Sequence, residues 1–506
     1  MVFSAFLACA LVTLITIHVL LVLGKNKRRC KTGGSLAPPP GPAGHPLLGN
    51  LLYFFGPLRH NPHRGLSSLA ETYGPVLSLR LDLTRTIVVV SSPAAAHEAL
   101  TKNDAALAAR LVPDSVCALS YSATSMVFLP SSNKLWKQDR AIIGSRFSSA
   151  RGLETIQPIL ERHAHKLMKH FRACYGRPVI VREAVNGTVL NIISNILFSK
   201  DVVDLQGPQA FKGLIAPVLE EWSKSNVADA FPLLAPLDHL LGSRRRISIH
   251  LAKLFRFFDR EIIEERLANT DTSGKHNDVL DVLLARLAQS KLTRQQITTF
   301  LTDMFIAASD TSTVTVQRAL AQLLRHPEKM EKLRAELVAR LGFNDFIKDT
   351  DIDDLPYLQA VVKETLRLHP AVPLIPREVV ADGVSLAGFP VPVGTGVVIN
   401  LWAIGRDEKA WPQPEEFVPE RFLVGSPVHF QAKENFAYKP FGAGRRVCPG
   451  MDYTAHSVPL LLVSLLHTME WKLPEGMGLE DIDLSDRYGT VLDLATPLRA
   501  VPVSAA

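Results

Sequence analysis

Phe441-Gly442-Ala443-Gly444-Arg445-Arg446-Val447-Cys448-Pro449-Gly450 brings three glycines, two arginines and one thiol into ten residues. Glycine lets a backbone turn tightly and approach a flat surface closely. Arg445 and Arg446 stand three and two residues before Cys448. The apolar segment from about Tyr453 to Thr468 reads as a helix, so the sulfur lies near a helix N-terminus. Both features are expected to favour thiolate over thiol. A thiolate on a glycine loop beside an apolar helix suits an axial ligand to a metal in a flat macrocycle. The plainer reading is an inert buried cysteine, the usual fate of a lone one.

Upstream of this loop most segments carry helical period. Ile247, Leu251, Leu254, Phe258 and Ile262 mark one face, and Val279, Val282, Leu283 and Leu287 another. A long helical pattern runs from about Thr293 to Arg325, followed by helices over roughly 328–340 and 354–368. Near the front, Leu77 to Leu83 alternates and Thr86 to Val90 is a β-branched run, which predicts a hairpin. Ser92-Pro93 reads as an N-cap and first helical position. Strand-like pieces return over 389–399. The fold class expected is mainly α with small β-sheets, in a single large domain over residues 51–506. The polar stretch Asn269 to Asp278 is read as a loop rather than a boundary.

The N-terminus has its own character. Val2 to Leu23 contains no Asp, Glu, Lys or Arg over 22 residues. As a helix it would span about 33 Å, enough for a bilayer core of roughly 30 Å. Basic residues follow this run rather than precede it, and no small-residue cleavage site lies between them. An uncleaved transmembrane anchor over 2–23 is therefore expected, rather than a signal peptide, with the bulk on the cytosolic side. Lys25, Lys27, Arg28, Arg29 and Lys31 account for five of the formal +7, so the rest of the chain carries +2. The basic balance is a local flank and does not point to nucleic acid. Pro38 to Pro46 is too proline-rich for helix or ladder strand, and residues 24–50 read as a basic flank and stiff hinge. A proline-rich ligand for a partner domain is the lesser reading of that stretch. Five cysteines without a C-x-x-C pair exclude a zinc ribbon or a disulfide scaffold and fit a reducing compartment.

The pattern F-x-x-G-x-R-x-C-x-G, carried by Phe441, Gly444, Arg446, Cys448 and Gly450, resembles the haem-binding signature of the cytochrome P450 family. Three further motifs stand in that family's order. Ala307-Ala308-Ser309-Asp310-Thr311-Ser312, inside the longest helical pattern, resembles its A/G-G-x-D/E-T motif. Glu364-Thr365-Leu366-Arg367 resembles E-x-x-R, and Pro419-Glu420-Arg421-Phe422 resembles P-E-R-F. The resemblance covers nearly the whole chain. It implies haem b held by Cys448, a structural triad of Glu364, Arg367 and Arg421, and proton delivery to dioxygen by Asp310 and Thr311. Trp136 and Arg140, in a W-x-x-x-R pattern, with Arg377 and Arg446, are implied partners of the haem propionates. Phe305, Ala308, Val372 and Ile375 are implied pocket residues, together with the loop over 103–127 and the strand pair near 488–492. Ala308 stands where the family usually has glycine, which puts the geometry of the oxygen site in doubt. Gln317 and Arg318 stand where plant members commonly have Glu and Trp, outside the implied chemistry.

The resemblance is nearest to plant microsomal members acting on terpenoids. It implies a monooxygenase of the endoplasmic reticulum membrane, hydroxylating an apolar molecule such as a diterpenoid of plant defence metabolism. Electrons would come from NADPH through NADPH–cytochrome P450 reductase. The chain has no G-x-G-x-x-G unit of its own, which agrees with an external donor. Two other readings stay open: a haem-thiolate isomerase or dehydratase, and a non-catalytic membrane-tethered haem sensor.

Overall fold

The computed structural model describes residues 37–504, apart from 46–47, 57, 82–84, 206–210, 225–228, 230–241, 270–275, 343, 345 and 424–434. The transmembrane segment expected over 2–23 lies outside the described residues. Among the described residues no helix is long and apolar enough to cross a membrane.

The helices are α1 Pro62–Tyr73, α2 Lys134–Phe147, α3 Ala150–Arg172, α4 Val181–Phe198, α5 Lys212–Ser223, α6 Ser243–Phe257, α7 Val279–Ala288, α8 Arg294–Arg325, α9 Pro327–Leu341, α10 Pro356–Leu368 and α11 Met451–Leu466. The principal strands are β1 Val76–Arg80, β2 Thr86–Val90, β3 Leu374–Glu378, β4 Gly396–Asn400, β5 Asp486–Tyr488 and β6 Leu492–Leu494. The first four form one sheet in the order β1-β2-β4-β3, and β5 and β6 form a hairpin. Shorter strands near the C-terminus, Met469–Lys472 and Arg499–Ser504, pair with Val179–Ile180 in a third sheet. The mainly helical fold with small sheets is as expected from sequence.

α8 is the axis of the molecule, 32 residues and about 48 Å long. Thr293 caps it in a full capping box with Gln296. Most of its side chains are buried, threonines included. Thr302, Thr313 and Thr315 each donate back to the carbonyl four residues earlier, so their hydroxyls enter the core already satisfied. α4, α10 and α11 pack along it. On α6 and the turn after it, Ile247, Leu251, Leu254, Phe258 and Ile262 are all buried, as the period predicts. On α7 the prediction misses one position: Val279 and Leu283 are buried, but Val282 is 45 % exposed.

The front hairpin has the predicted strands, with Leu77 opposite Val89 and Leu79 opposite Ile87. Ser92 caps the short helix beginning at Pro93 by accepting from the Ala95 N–H. The proline-rich stretch was read as a free spacer up to residue 50, and its second half is instead laid on β1. Ser78 donates its N–H to the Pro40 carbonyl at 2.7 Å and its hydroxyl to the Pro39 carbonyl at 2.7 Å. A Cβ on Gly41 would stand 2.0 Å from the Ser78 carbonyl oxygen, so only glycine allows this approach. Prolines lack donors, but their carbonyls still accept, which a sequence reading of proline as a breaker overlooks.

Candidate active site

The cysteine loop runs from the end of the sheet region into α11. Gly442 and Gly444 take φ +70° and +72°, the left-handed region that favours glycine. Gly444 is doubly constrained, since a Cβ there would meet the Leu100 carbonyl and the Asp104 carboxylate. Gly450, at φ −97°, is the N-cap of α11 and needs no glycine geometry. Cys448 donates its N–H to the Phe441 carbonyl at 3.0 Å, which closes the loop. Phe441 packs against the main core. Two side chains hold the loop from outside: Arg140 donates to the Val447 carbonyl at 2.9 Å and Ser148 to the Pro449 carbonyl at 3.1 Å.

The expectation that local sequence alone favours the thiolate is corrected. Burial pushes the Cys448 thiol up; the Gly450 N–H, Arg140 and Arg110 pull it down without prevailing. Neither adjacent arginine serves the sulfur. Arg445 is exposed and pairs with Asp104 at 3.1 Å. Arg446 is buried and donates to the carbonyls of Ala108, Met126, Val127 and Leu129. A thiol so enclosed loses its proton on binding a metal cation, whose charge outweighs the desolvation.

Around the loop stand four guanidiniums: Arg110, Arg140, Arg377 and Arg446. Arg140 and Arg446 lie over Trp136, 5.6 and 5.1 Å from its ring centre. Arg377 is buried on β3, its one hydrogen bond going to the Pro376 carbonyl. Burial, then Arg110 and Arg446, push Arg377 down to about 9; burial, then Arg110 and Arg140, push Arg446 down to about 10. The Arg110 Nε is buried without a hydrogen-bond partner. Among the described residues no carboxylate lies within 4 Å of any of the four. Several unpaired cations in a low-dielectric site each cost kilocalories unless an anion joins them. A flat group bearing two carboxylates beside Cys448 fits this arrangement, and the residues present therefore fit haem. Arg110 was not singled out from sequence. It lies in no motif, and only the fold brings it to the other three.

The triad forms as expected. Arg367 closes a bidentate pair on Glu364, at 2.7 and 2.8 Å, and Arg421 Nε reaches the same carboxylate at 3.1 Å. Glu364 and Arg367 have no exposed side-chain surface. Arg367 also donates to the Gly405, Pro414 and Glu416 carbonyls, tying α10 to the segment before the cysteine loop.

In the middle of α8, Ala307 is exposed and Ala308, Asp310 and Thr311 are partly exposed, between buried runs on either side. Because neighbours pack along the helix, this window faces an internal space. Thr311 donates to the Ala307 carbonyl at 2.8 Å, as expected. Asp310 does not join it. Adjacent helical residues point about 100° apart. Asp310 instead accepts from Arg182 at 2.9 Å and Asn186 at 3.2 Å. It borders a polar cavity of about 390 Å³ between α4, α5, α8 and the β5–β6 hairpin. Burial raises the Asp310 carboxyl, with Arg182 opposing it.

Of the expected pocket residues, Ile375 lies against the cysteine loop, 3.3 Å from where a Gly442 Cβ would stand. Ala308 borders the window and Val372 is exposed in the turn before β3. Phe305 is corrected: it is fully buried in an aromatic cluster with Phe198, Phe211 and Phe258 and belongs to the core behind α8. The loop over 103–127 is fastened from within. Asp303, fully enclosed on α8, accepts from the Tyr121 hydroxyl, from Ser125 at 2.8 Å and from the Met126 N–H at 2.7 Å.

Comparison with known proteins agrees with this geometry. The cytochrome P450 family model matches residues 39–495. Oryzalexin E synthase of Oryza sativa subsp. japonica is 44% identical over 498 residues, covering 96% of each chain. Ent-cassadiene C11-alpha-hydroxylase 1 of the same organism is 42% identical over 493 residues, 97% of each. Geraniol 8-hydroxylase of Catharanthus roseus is 39% identical over 471 residues, 92% of this chain and 93% of that one. With a family model spanning most of its length and relatives matched end to end, the chain belongs to the cytochrome P450 family.

Proposed function

We propose that this cytochrome P450 monooxygenase hydroxylates an apolar terpenoid, with plant-defence diterpenoids as the substrate class. The observation that carries the reading is the ring of four guanidiniums, without a carboxylate partner, around the Cys448 loop. Cys448 would be the axial ligand of haem b. Trp136, Arg140, Arg377, Arg446 and Arg110 would receive its propionates. Bound haem supplies dioxygen activation, with the thiolate pushing electron density toward iron to favour O–O cleavage. The chain's own residues do the rest. Thr311 keeps its hydroxyl tied to the Ala307 carbonyl and opens the helix at the window, and Asp310 holds an exchangeable proton one residue away. Electrons come from NADPH through NADPH–cytochrome P450 reductase. Residues 2–23 anchor the enzyme in the endoplasmic reticulum membrane with the domain over 51–506 on the cytosolic side.

The terpenoid substrate is supported by the names of the relatives, which include a diterpene hydroxylase and a monoterpene alcohol hydroxylase. The test is turnover of ent-cassadiene, geraniol, other terpenes and fatty acids in membranes with the reductase, under isotopically heavy dioxygen. The expected result is an NADPH-dependent terpene product carrying one heavy oxygen. Product without the label, or product formed without the reductase, would establish an isomerase or dehydratase instead.

A further inference from the structure

Asp310 shares its counter-ion. Arg182, on the first turn of α4, donates Nη2 to Asp310 at 2.9 Å and Nε to Asp493 on β6 at 2.8 Å. Nε and one terminal nitrogen form the edge that an arginine ordinarily closes on a single carboxylate. Here that edge is split between two, 183 residues apart in the chain. Both residues that depart from the plant pattern hold Asp493 in place. Gln317 donates to its carboxylate at 3.1 Å, and Arg318 donates to its carbonyl at 2.7 Å and to Asp486 on β5 at 2.8 Å. α8 therefore carries Asp310 and, two turns later, the side chains that seat the β5–β6 hairpin.

We propose that Arg182 is a positioning residue for proton delivery. Its one guanidinium is divided between Asp310 and Asp493, so the seating of the β5–β6 hairpin decides how firmly Asp310 is held as an anion. When Asp493 keeps its half of the fork, Asp310 has one bond to Arg182 and takes up a proton more readily. When Asp493 withdraws, the whole edge turns to Asp310 and holds it ionised. A proton leaving the Asp310 carboxyl goes to the Thr311 hydroxyl or to water beside it, and the carboxylate is reprotonated from solvent through the polar cavity. That cavity reaches the surface at Glu220 and Arg487, whose side chains are 69 % and 61 % exposed. The other groups facing Asp310 are Asn186 from α4, Lys212 from α5 and Asp493 itself. The hairpin is the strand pair that family resemblance places at the substrate, so occupancy of the pocket is felt at the acid. This rests on the reading of Asp310 as a proton donor.

The test uses the full chain, haem-loaded in membranes, each variant first checked for the reduced carbon-monoxide spectrum of thiolate-bound haem. Aspartate carboxyl-carbon labelling and infrared spectroscopy give the Asp310 titration, assigned by the band lost in Asp310→Asn. Arg182→Gln is expected to raise its midpoint by about one pH unit, and Asp493→Asn to lower it by a similar amount. The fraction of NADPH electrons released as hydrogen peroxide, measured with NADPH, dioxygen and reductase alone, should shift with pH in the same two directions. A merely structural role would move both variants the same way or not at all, and either result overturns the proposal. Where Arg182→Gln does not bind haem, Arg182→Lys decides. A lysine cannot span both carboxylates, so Asp493→Asn should shift the midpoint less in that background, and an undiminished shift overturns the coupling. If Asp310→Asn leaves peroxide release unchanged at every pH, the proton-donor reading itself fails and takes this proposal with it. If only Asp310→Asn alters it, the coupling alone fails.

Discussion

Glu364 shows how much one side chain can be made to hold. Its carboxylate accepts from Arg367 twice, from Arg421 and from the Val418 N–H, with no surface of its own in water. Burying such charges is costly, and only full occupation of every donor and acceptor offsets it. The triad was legible because its residues lie in two short motifs with fixed spacing. Arg110 and Asp139 were not, since burial and long-range partners define them. Asp139 on α2 is 3 % exposed, and burial, then the charge of Asp303, raise its carboxyl to about 8, against a smaller pull from Arg286. The sign follows from proton counts. Between the unfolded value near 3.8 and about 8, the folded chain keeps a proton that the unfolded chain has lost. Stability from this group is full below that window and falls as pH rises through it, by about 1.4 kcal/mol per pH unit. Asp139→Asn, which cannot ionise, should flatten that fall. Urea unfolding of the haem-loaded protein from pH 5.5 to 8 checks it, and parallel pH curves for the two proteins would refute it.

Among the elements, α8 was read correctly in extent because Thr293 and Gln296 form a recognisable cap and the apolar period persists. Its partners were not readable. Asp303 lies two turns before Thr311 and fixes a loop more than 170 residues earlier in the chain. That loop is backbone-strained, with Leu119 and Ser120 at φ +51° and +57°, and needs its fastening. Three donors converge on the two oxygens of Asp303. An asparagine offers one oxygen and sets an amide NH₂ against a remaining donor. Asp303→Asn should therefore lower hydrogen-exchange protection over 121–127 by about tenfold, the equivalent of one lost bond of ~1.4 kcal/mol. Unchanged protection there would show that the loop is held elsewhere. The Phe305 error has the same origin: helical period identifies an apolar face but not whether that face meets a pocket or a neighbouring helix.

For the whole molecule, composition and period gave the mainly helical class, and the ordered motifs gave the family. Long-range pairings such as Arg182 with Asp310 and Asp493 leave no local trace. The proposed anchor is testable at this scale. The full chain should stay with membranes through alkaline carbonate extraction. A chain lacking residues 2–23 should leave them while keeping the reduced carbon-monoxide spectrum. Retention of the shortened chain in the pellet would refute the anchor.

The docking of Pro39 and Pro40 on Ser78 has a mechanical consequence. Because Gly41 lies flush against that strand, residues 39–50 travel with the body and add nothing to the length of any tether. About twelve residues, or roughly 40 Å of fully extended contour, are thereby withdrawn from the leash. A tug from the N-terminal side is delivered lengthwise into β1, as shear across the hydrogen-bond ladder. The swivel point lies ahead of residue 39, and the body leans and turns about that point as one rigid piece.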